Sequence, residues 1–113
     1  MLLHVRHYAT GQPLEIHIER GILAKVISAA APGTDQWPYI GPALFDIQMN
    51  GYGGQEFSSL KLTAEKVAEI VASQVPYGVT RLCPTLTTES HAVMAHALRT
   101  IGAACQQSAE VGR

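Results

Sequence analysis

Two amide side chains at the end of an apolar run are the residues best suited to chemistry in this sequence. The run 43–49 is largely apolar and predicts a β-strand that is covered on both faces. Gln48 and Asn50 are two residues apart, so a strand places both side chains on the same side. Ligand sites of parallel α/β folds lie at the carboxyl ends of strands, where amides can orient a carbonyl, a hydroxyl or a water. The pair could equally satisfy backbone groups around the glycines that follow.

The glycines and histidines predict structure rather than catalysis. Residues 51–54 include three glycines, which predict a loop, and they lack the Lys-Ser/Thr pair of a phosphate-binding P-loop. His91 and His96 are five residues apart and miss the i, i+4 spacing of a helical metal pair. We therefore expect surface histidines and no metal site within this chain.

The cysteines and three threonines are also open to structural interpretations. Cys83 and Cys105 are too few for a disulfide scaffold and are expected to be buried as small apolar side chains. Thr85, Thr87 and Thr88 follow a predicted strand. They could line the same mouth as the amides, but capping of the following helix is favoured.

The sequence before the apolar run predicts β-structure. Residues 3–7 and 14–18 alternate with a period of two, and a third run covers 22–30. Residues 11–13, Gly-Gln-Pro, predict the first turn. Residues 1–40 are therefore expected to form a meander with one wet and one buried face.

The rest of the chain, residues 41–113, has the order strand, helix, strand, helix. The first helix is predicted to begin near Ala64 after the cap Thr63, and to end at Pro76 and Gly78. A strand over 79–83 and a helix over about 90–106 follow. Their apolar stripes, at helical spacing, are Val67, Ile70, Val71 and Val75 in the first helix and Met94, Ala97, Leu98, Ile101 and Cys105 in the second.

This order predicts a parallel sheet of two strands, which is too small to stand alone. Such a sheet has two open edges and too few partners to cover its faces. We therefore expect residues 41–113 to be the start of a larger α/β fold, either a truncated chain or one that needs a partner chain.

Composition excludes several classes of protein. Hydrophobic residues make up 47% of the 113 and charged residues 15%, which argues against disorder. A net charge of -1 gives no basic excess for nucleic-acid binding. With neither a membrane-length apolar run nor a signal peptide, we expect a cytoplasmic protein that binds no nucleic acid or membrane.

Two motifs carry a resemblance to a known family. Residues 42–51, Pro-Ala-Leu-Phe-Asp-Ile-Gln-Met-Asn-Gly, followed by Gly53, Gly54 and Phe57, resemble the opening of N-acetylglucosamine-6-phosphate deacetylases of the amidohydrolase superfamily. Residues 77–88 resemble the second barrel strand of that family and its Pro-Thr-Leu turn. The sequence differs from the family pattern at Ala43, where glycine is common, and at Glu56, where aspartate is common.

The resemblance implies a fold and a partial active site. It implies that residues 1–40 are strands of a small β-sandwich domain and that residues 41–113 are the first two βα units of a TIM-like (β/α)8 barrel. Gln48 and Asn50 stand where most amidohydrolases have a metal-binding His-x-His, so they are expected to line the site of one divalent metal ion, most often zinc, without ligating it strongly. The glutamate of a His-Leu-Glu-Gly-Pro stretch, two histidines and a catalytic aspartate would lie beyond Arg113, so no catalytic residue is expected in this chain.

The resemblance also implies a reaction, with alternatives. The full-length enzyme would hydrolyse the N-acetyl group of N-acetylglucosamine 6-phosphate, a phosphorylated amino sugar, and would be a homo-oligomer or need its missing C-terminal part. This chain alone is expected to be inactive. The alternatives are a fragment of another amidohydrolase, such as a cyclic-amide hydrolase, and a non-catalytic binding or assembly module.

Overall fold

The protein divides into two compact units. A computed structural model describes residues 1–112, and the division falls between Pro42 and Ala43. Each unit has its own sheet structure, and each is described separately. No helix in residues 1–112 is long and apolar enough to cross a membrane.

The first unit is a four-stranded sheet. Its strands are β1 (Leu2–His7), β2 (Pro13–Glu19), β3 (Ile22–Ser28) and β4 (Tyr39–Ile40). The order in the sheet is β3-β2-β1-β4, and the antiparallel pairs β1–β2 and β2–β3 confirm the predicted meander. The short strand β4 pairs with β1 in parallel and was not predicted, because two residues are too few to show a period.

Burial in this sheet is less complete than the alternation predicts. Val5 and Ile16 are buried, on neighbouring strands. Ile22, Leu23 and Val26 of the edge strand β3 are exposed. The expectation of one buried face is therefore correct at the centre of the sheet and wrong at its β3 edge.

The second unit contains four strands and two helices. They are β5 (Leu44–Met49), β6 (Gly51–Tyr52), β7 (Gln55–Glu56), α1 (Ala64–Gln74), β8 (Val79–Pro84) and α2 (His91–Gln107). Strands β5 and β8 pair in parallel, as the strand–helix order predicts. Strands β6 and β7 form a separate antiparallel ribbon.

That ribbon corrects the predicted loop over 51–54. Gly53 and Gly54 have φ of +61° and +79°, which is the pair of left-handed residues that a tight hairpin turn requires. Gly51 is needed for a different reason: a Cβ at this position would lie 2.1 Å from the backbone oxygen of Gln55. The glycines therefore build a short hairpin directly after β5.

Helix α1 begins and ends where the sequence predicts. The side chain of Thr63 accepts a hydrogen bond from the backbone N–H of Lys66 at 3.3 Å. Hydrogen bonds from its own backbone N–H and from Thr63 hold the pKa of Glu65 below its usual value. A single 3-10 turn follows α1 and ends at Gly78, which has a φ of +80°.

Helix α2 is capped by Ser90, so the expected capping by threonines is wrong. The Ser90 side chain accepts from the backbone N–H of Val93 at 3.4 Å. Thr87 instead donates its backbone N–H to the Ser58 hydroxyl oxygen at 2.8 Å, and the Thr85 hydroxyl donates to the Cys83 carbonyl at 3.1 Å. These threonines therefore fix the loop between β8 and α2.

The core of the second unit is formed by the two helices together with residues just before and just after the β6–β7 hairpin. Its buried members are Met49, Phe57, Leu62, Val67, Ile70, Ala97 and Ala104. In α2 the buried residues are alanines, while Met94, Leu98 and Cys105 are exposed. The predicted stripe of α2 is therefore wrong in its outer members. The predicted stripe of the first helix is also wrong at its end, because Val75 lies in the 3-10 turn after α1 and is exposed, while Gln74 is buried.

Two further expectations on burial are wrong. Cys83, like Cys105, is exposed and is not a buried apolar residue. Strand β5 is not covered on both faces, since Phe45 is 56% exposed and Ile47 is 75% exposed. The physical reason is the width of the sheet: in the described residues it has only β5 and β8, so much of its apolar surface lacks a covering layer.

Candidate functional site

The carboxyl ends of β5 and β8 are joined through Asn50. The backbone N–H of Thr85 donates to the Met49 carbonyl at 2.7 Å. The Asn50 side-chain N–H donates to the Thr85 carbonyl at 3.1 Å. Asn50 thus continues the pairing of the two strands by one side-chain bond, which is the backbone-satisfying role that the sequence left open.

Asn50 is also held from the core side. Its backbone carbonyl accepts the N–H of Phe57 at 2.9 Å, and Phe57 is completely buried. Asn50 is therefore fixed between the strand ends and the core. Its side chain remains exposed at the carboxyl ends of β5 and β8. Because these bonds hold Asn50, its side-chain oxygen is oriented before any ligand binds.

The side chain of Gln48, unlike that of Asn50, makes no hydrogen bond to β8. Its backbone N–H donates to the Asp46 carboxylate at 2.9 Å, and the pairing with β8 shifts register between Asp46 and Met49. Met49 is buried while Gln48 and Asn50 are both exposed, which places the two amides on the face away from the core. The side-chain amide of Gln48 makes no hydrogen bond to another described residue, so it is available to a ligand.

These residues do not form a metal-binding set. Within residues 1–112, no three His, Cys, Asp or Glu side chains lie close enough together to hold a metal ion. Amides are weak zinc ligands, so Gln48 and Asn50 do not replace such a set. His96, expected at the surface, is partly buried, with its Nε2 3.0 Å from the Leu62 carbonyl. A metal at this edge would need ligands from outside the described residues.

The hairpin that follows Asn50 is anchored to α1 and to the turn after it. The Gln55 side-chain N–H donates to the Glu69 carboxylate at 3.0 Å. The hydroxyls of Tyr52 and Tyr77 are 2.8 Å apart, and their ring centres are 6.0 Å apart. The two partners of each pair are far apart in sequence, so no local pattern could have predicted either contact.

The tyrosine pair predicts a measurable pH effect. The hydrogen bond to Tyr77, together with some desolvation and the charge of a Tyr77 phenolate, raises the pKa of Tyr52 above 10.0. A raised pKa favours the folded state below pH 10 and this contribution is lost as the pH rises through the higher value. Tyr77→Phe should therefore lower the pKa of Tyr52 towards 10, measured by ultraviolet absorbance of tyrosinate.

A matched variant controls this titration. Tyr8 is exposed and belongs to the first unit, so Tyr8→Phe should leave the titration of Tyr52 unchanged. A Tyr52 titration that is the same with and without the Tyr77 hydroxyl would show that the pair does not exist in solution.

The fold is similar to that of a solved hydrolase. No family model matches the chain, and no curated protein matches it. Among solved structures, the chain matches N-acetylglucosamine-6-phosphate deacetylase from Pasteurella multocida with a TM-score of 0.69 and 15% identity. The match covers 96% of this chain and 31% of that chain.

This likeness establishes the fold. The chain has a mixed α/β fold of several strands and two helices that matches the N-terminal part of a deacetylase. It spans about a third of the length of that enzyme, and the described residues contain no closed barrel.

Proposed function

We propose that this chain is the opening part of an amide hydrolase that removes the N-acetyl group of N-acetylglucosamine 6-phosphate, giving glucosamine 6-phosphate and acetate. The fold match over 96% of the chain to an enzyme of that activity is the observation that carries the proposal. The two sequence motifs at the ends of β5 and β8 support it independently, because they resemble the same family.

In this proposal the two parts of the chain have different roles. Residues 1–40 supply strands of a small β-sandwich, and residues 41–113 supply the first two βα units of the barrel. The exposed apolar residues of β5 support this assignment, since the next layer of a barrel would cover Phe45 and Ile47. Burial of these two side chains would remove apolar surface from water and so stabilise the fold.

Gln48 and Asn50 line the substrate pocket in this proposal. Asn50 holds the ends of β5 and β8 at a fixed spacing through Thr85. Gln48 offers a free amide that can donate to a carbonyl oxygen or accept from a sugar hydroxyl. The catalytic groups and the ligands of a divalent metal would come from other strands, because these residues cannot hold the ion.

An acetate-release assay tests the proposal. The 113-residue chain, given N-acetylglucosamine 6-phosphate and zinc, should release no acetate. The product of the reading frame continued past Arg113 should release acetate from that substrate and leave a cyclic amide intact. Turnover by the 113-residue chain, or hydrolysis of the cyclic amide only, would contradict the proposal.

A further inference from the structure

Two tyrosines of the second unit meet at their hydroxyl groups. The hydroxyl oxygens of Tyr52 and Tyr77 are 2.8 Å apart, their ring centres are 6.0 Å apart, and the ring planes are inclined at 60°. Tyr52 is 40% exposed and Tyr77 is 63% exposed, so both residues are accessible to solvent. The pair therefore presents two phenols that are in contact with each other and open to a reagent in solution.

The backbone on each side of the pair is held by helix α1. Tyr52 lies in β6 and pairs with Gln55 of β7, whose side-chain N–H donates to the Glu69 carboxylate of α1 at 3.0 Å. Tyr77 lies in the single 3-10 turn that directly follows α1. Because both tyrosines are attached to the same helix in this way, their rings stay within reach of each other.

Rotation of the side chains is enough to bring the two rings into contact. The torsion between Cβ and the ring of a tyrosine has a broad energy minimum, and exposed side chains change rotamer within nanoseconds. The ring carbons next to the hydroxyl-bearing carbon lie at the same ends of the rings as the two hydroxyls, which are already in hydrogen-bond contact. These carbons of Tyr52 and Tyr77 therefore meet without a change of the backbone.

The other two tyrosines of the chain have different surroundings. Tyr8 and Tyr39 belong to the first unit, where the ring of Tyr8 packs against His7. The guanidinium of Arg6 lies 4.4 Å from the centre of the Tyr39 ring, and a cation beside a ring opposes the loss of an electron from it. Within residues 1–112, the hydrogen bond between two phenol hydroxyls is found only at Tyr52 and Tyr77.

We propose that Tyr52 and Tyr77 form a site of oxidative cross-linking, at which hydrogen peroxide and a haem peroxidase join the two rings by a carbon–carbon bond. Each tyrosine gives up one electron and its hydroxyl proton, and the two phenoxyl radicals couple at the ring carbons next to the hydroxyls. The hydrogen on each coupled carbon then leaves as a proton while the phenolic oxygen takes one up, which restores both phenols. The two electrons and two protons released overall reduce one hydrogen peroxide to two waters.

The bond would fix the β6–β7 hairpin in its place. It would join β6 to the turn after α1, so the hairpin that follows Asn50 could no longer separate from that helix. The reaction needs neither a metal bound by this chain nor an acetylated sugar. It therefore stands or falls separately from the deacetylase proposal.

Oxidation of the 113-residue chain with a haem peroxidase and hydrogen peroxide tests this site. At about 1 μM protein the monomer should lose the mass of two hydrogen atoms and gain the fluorescence of dityrosine, because two groups held in one chain have an effective concentration of millimolar order. Peptide mapping by mass spectrometry should find the segment of Tyr52 joined to that of Tyr77. Tyr52→Phe and Tyr77→Phe should each lower the yield of cross-linked monomer at least about tenfold, since phenylalanine forms no phenoxyl radical.

The remaining tyrosines provide the matched controls. Tyr8→Phe and Tyr39→Phe make the same chemical change in the first unit and should leave the yield of cross-linked monomer unchanged. All four substitutions remove one hydroxyl from an exposed residue, so each variant should keep the fold. Absence of a cross-linked monomer, a cross-link that uses Tyr8 or Tyr39, or a yield that Tyr52→Phe or Tyr77→Phe leaves unchanged would each overturn the proposal.

Discussion

Replacing Phe57 with alanine is expected to lower the free energy of unfolding of the second unit by about 3–5 kcal/mol. Phe57 is completely buried among the core residues Met49, Leu62 and Val67, so the substitution leaves a cavity. Its N–H also fixes Asn50, so loosening of this residue should reach the strand ends. Urea unfolding followed by circular dichroism measures the loss.

The other phenylalanine of the chain provides a matched control. Phe45 is 56% exposed, so Phe45→Ala in the 113-residue chain should cost less than about 1 kcal/mol. The same chemical change is thus expected to have a several-fold different effect at the two positions. Equal losses of stability would show that Phe57 is not the centre of this core.

Replacing Asn50 with leucine in the longer protein is expected to reduce kcat/KM for acetate release about 100-fold. Leucine has a similar size but cannot donate to the Thr85 carbonyl, so the ends of β5 and β8 lose one of the two hydrogen bonds that join them and keep only that from Thr85 to Met49. The effect is one of position, because a displacement of catalytic groups by about 1 Å costs that much. Steady-state kinetics with N-acetylglucosamine 6-phosphate measures it.

A distant amide serves as the control for this substitution. Gln106→Leu changes an exposed amide on α2 and should leave kcat/KM within about twofold of the unsubstituted enzyme, since exposed positions have small effects. If Asn50→Leu retains full turnover, the bond between Asn50 and Thr85 does not position the strand ends for catalysis, and the proposed role of Asn50 in the pocket is refuted.

Local patterns in the sequence predicted the elements of the fold well. Helix α1 begins after Thr63 because a threonine cap precedes a run with helical spacing. Strands β1 and β2 follow from their period of two. In both cases the signal is contained within a few neighbouring residues.

Features that depend on tertiary packing were predicted less well. In α2 the spacing shows an apolar face but not which part of it is buried, and the buried residues are the small Ala97 and Ala104. The β6–β7 hairpin was predicted to be a loop because its strands have two residues each. Glycine there reflects the turn geometry and the close approach of Gln55 to Gly51.

The candidate site was predicted as a pair of positions and not as an arrangement. Gln48 and Asn50 follow from the end of a predicted strand, but the bond between Asn50 and Thr85 joins residues 35 positions apart. The hydrogen bond of Tyr52 to Tyr77 likewise joins residues 25 positions apart. Contacts of this kind depend on the parallel pairing of β5 and β8, which one sequence leaves undetermined in detail.

The coding DNA directly after the codon for Arg113 gives the most direct test of the central claim, that this chain is the opening of a deacetylase barrel. We expect an open reading frame that continues with a third strand ending in a His-Leu-Glu-Gly-Pro stretch, which would supply the glutamate absent from the residues described above. A stop codon at that point, together with a cooperatively melting monomer of the 113 residues, would contradict the claim and favour a self-contained module.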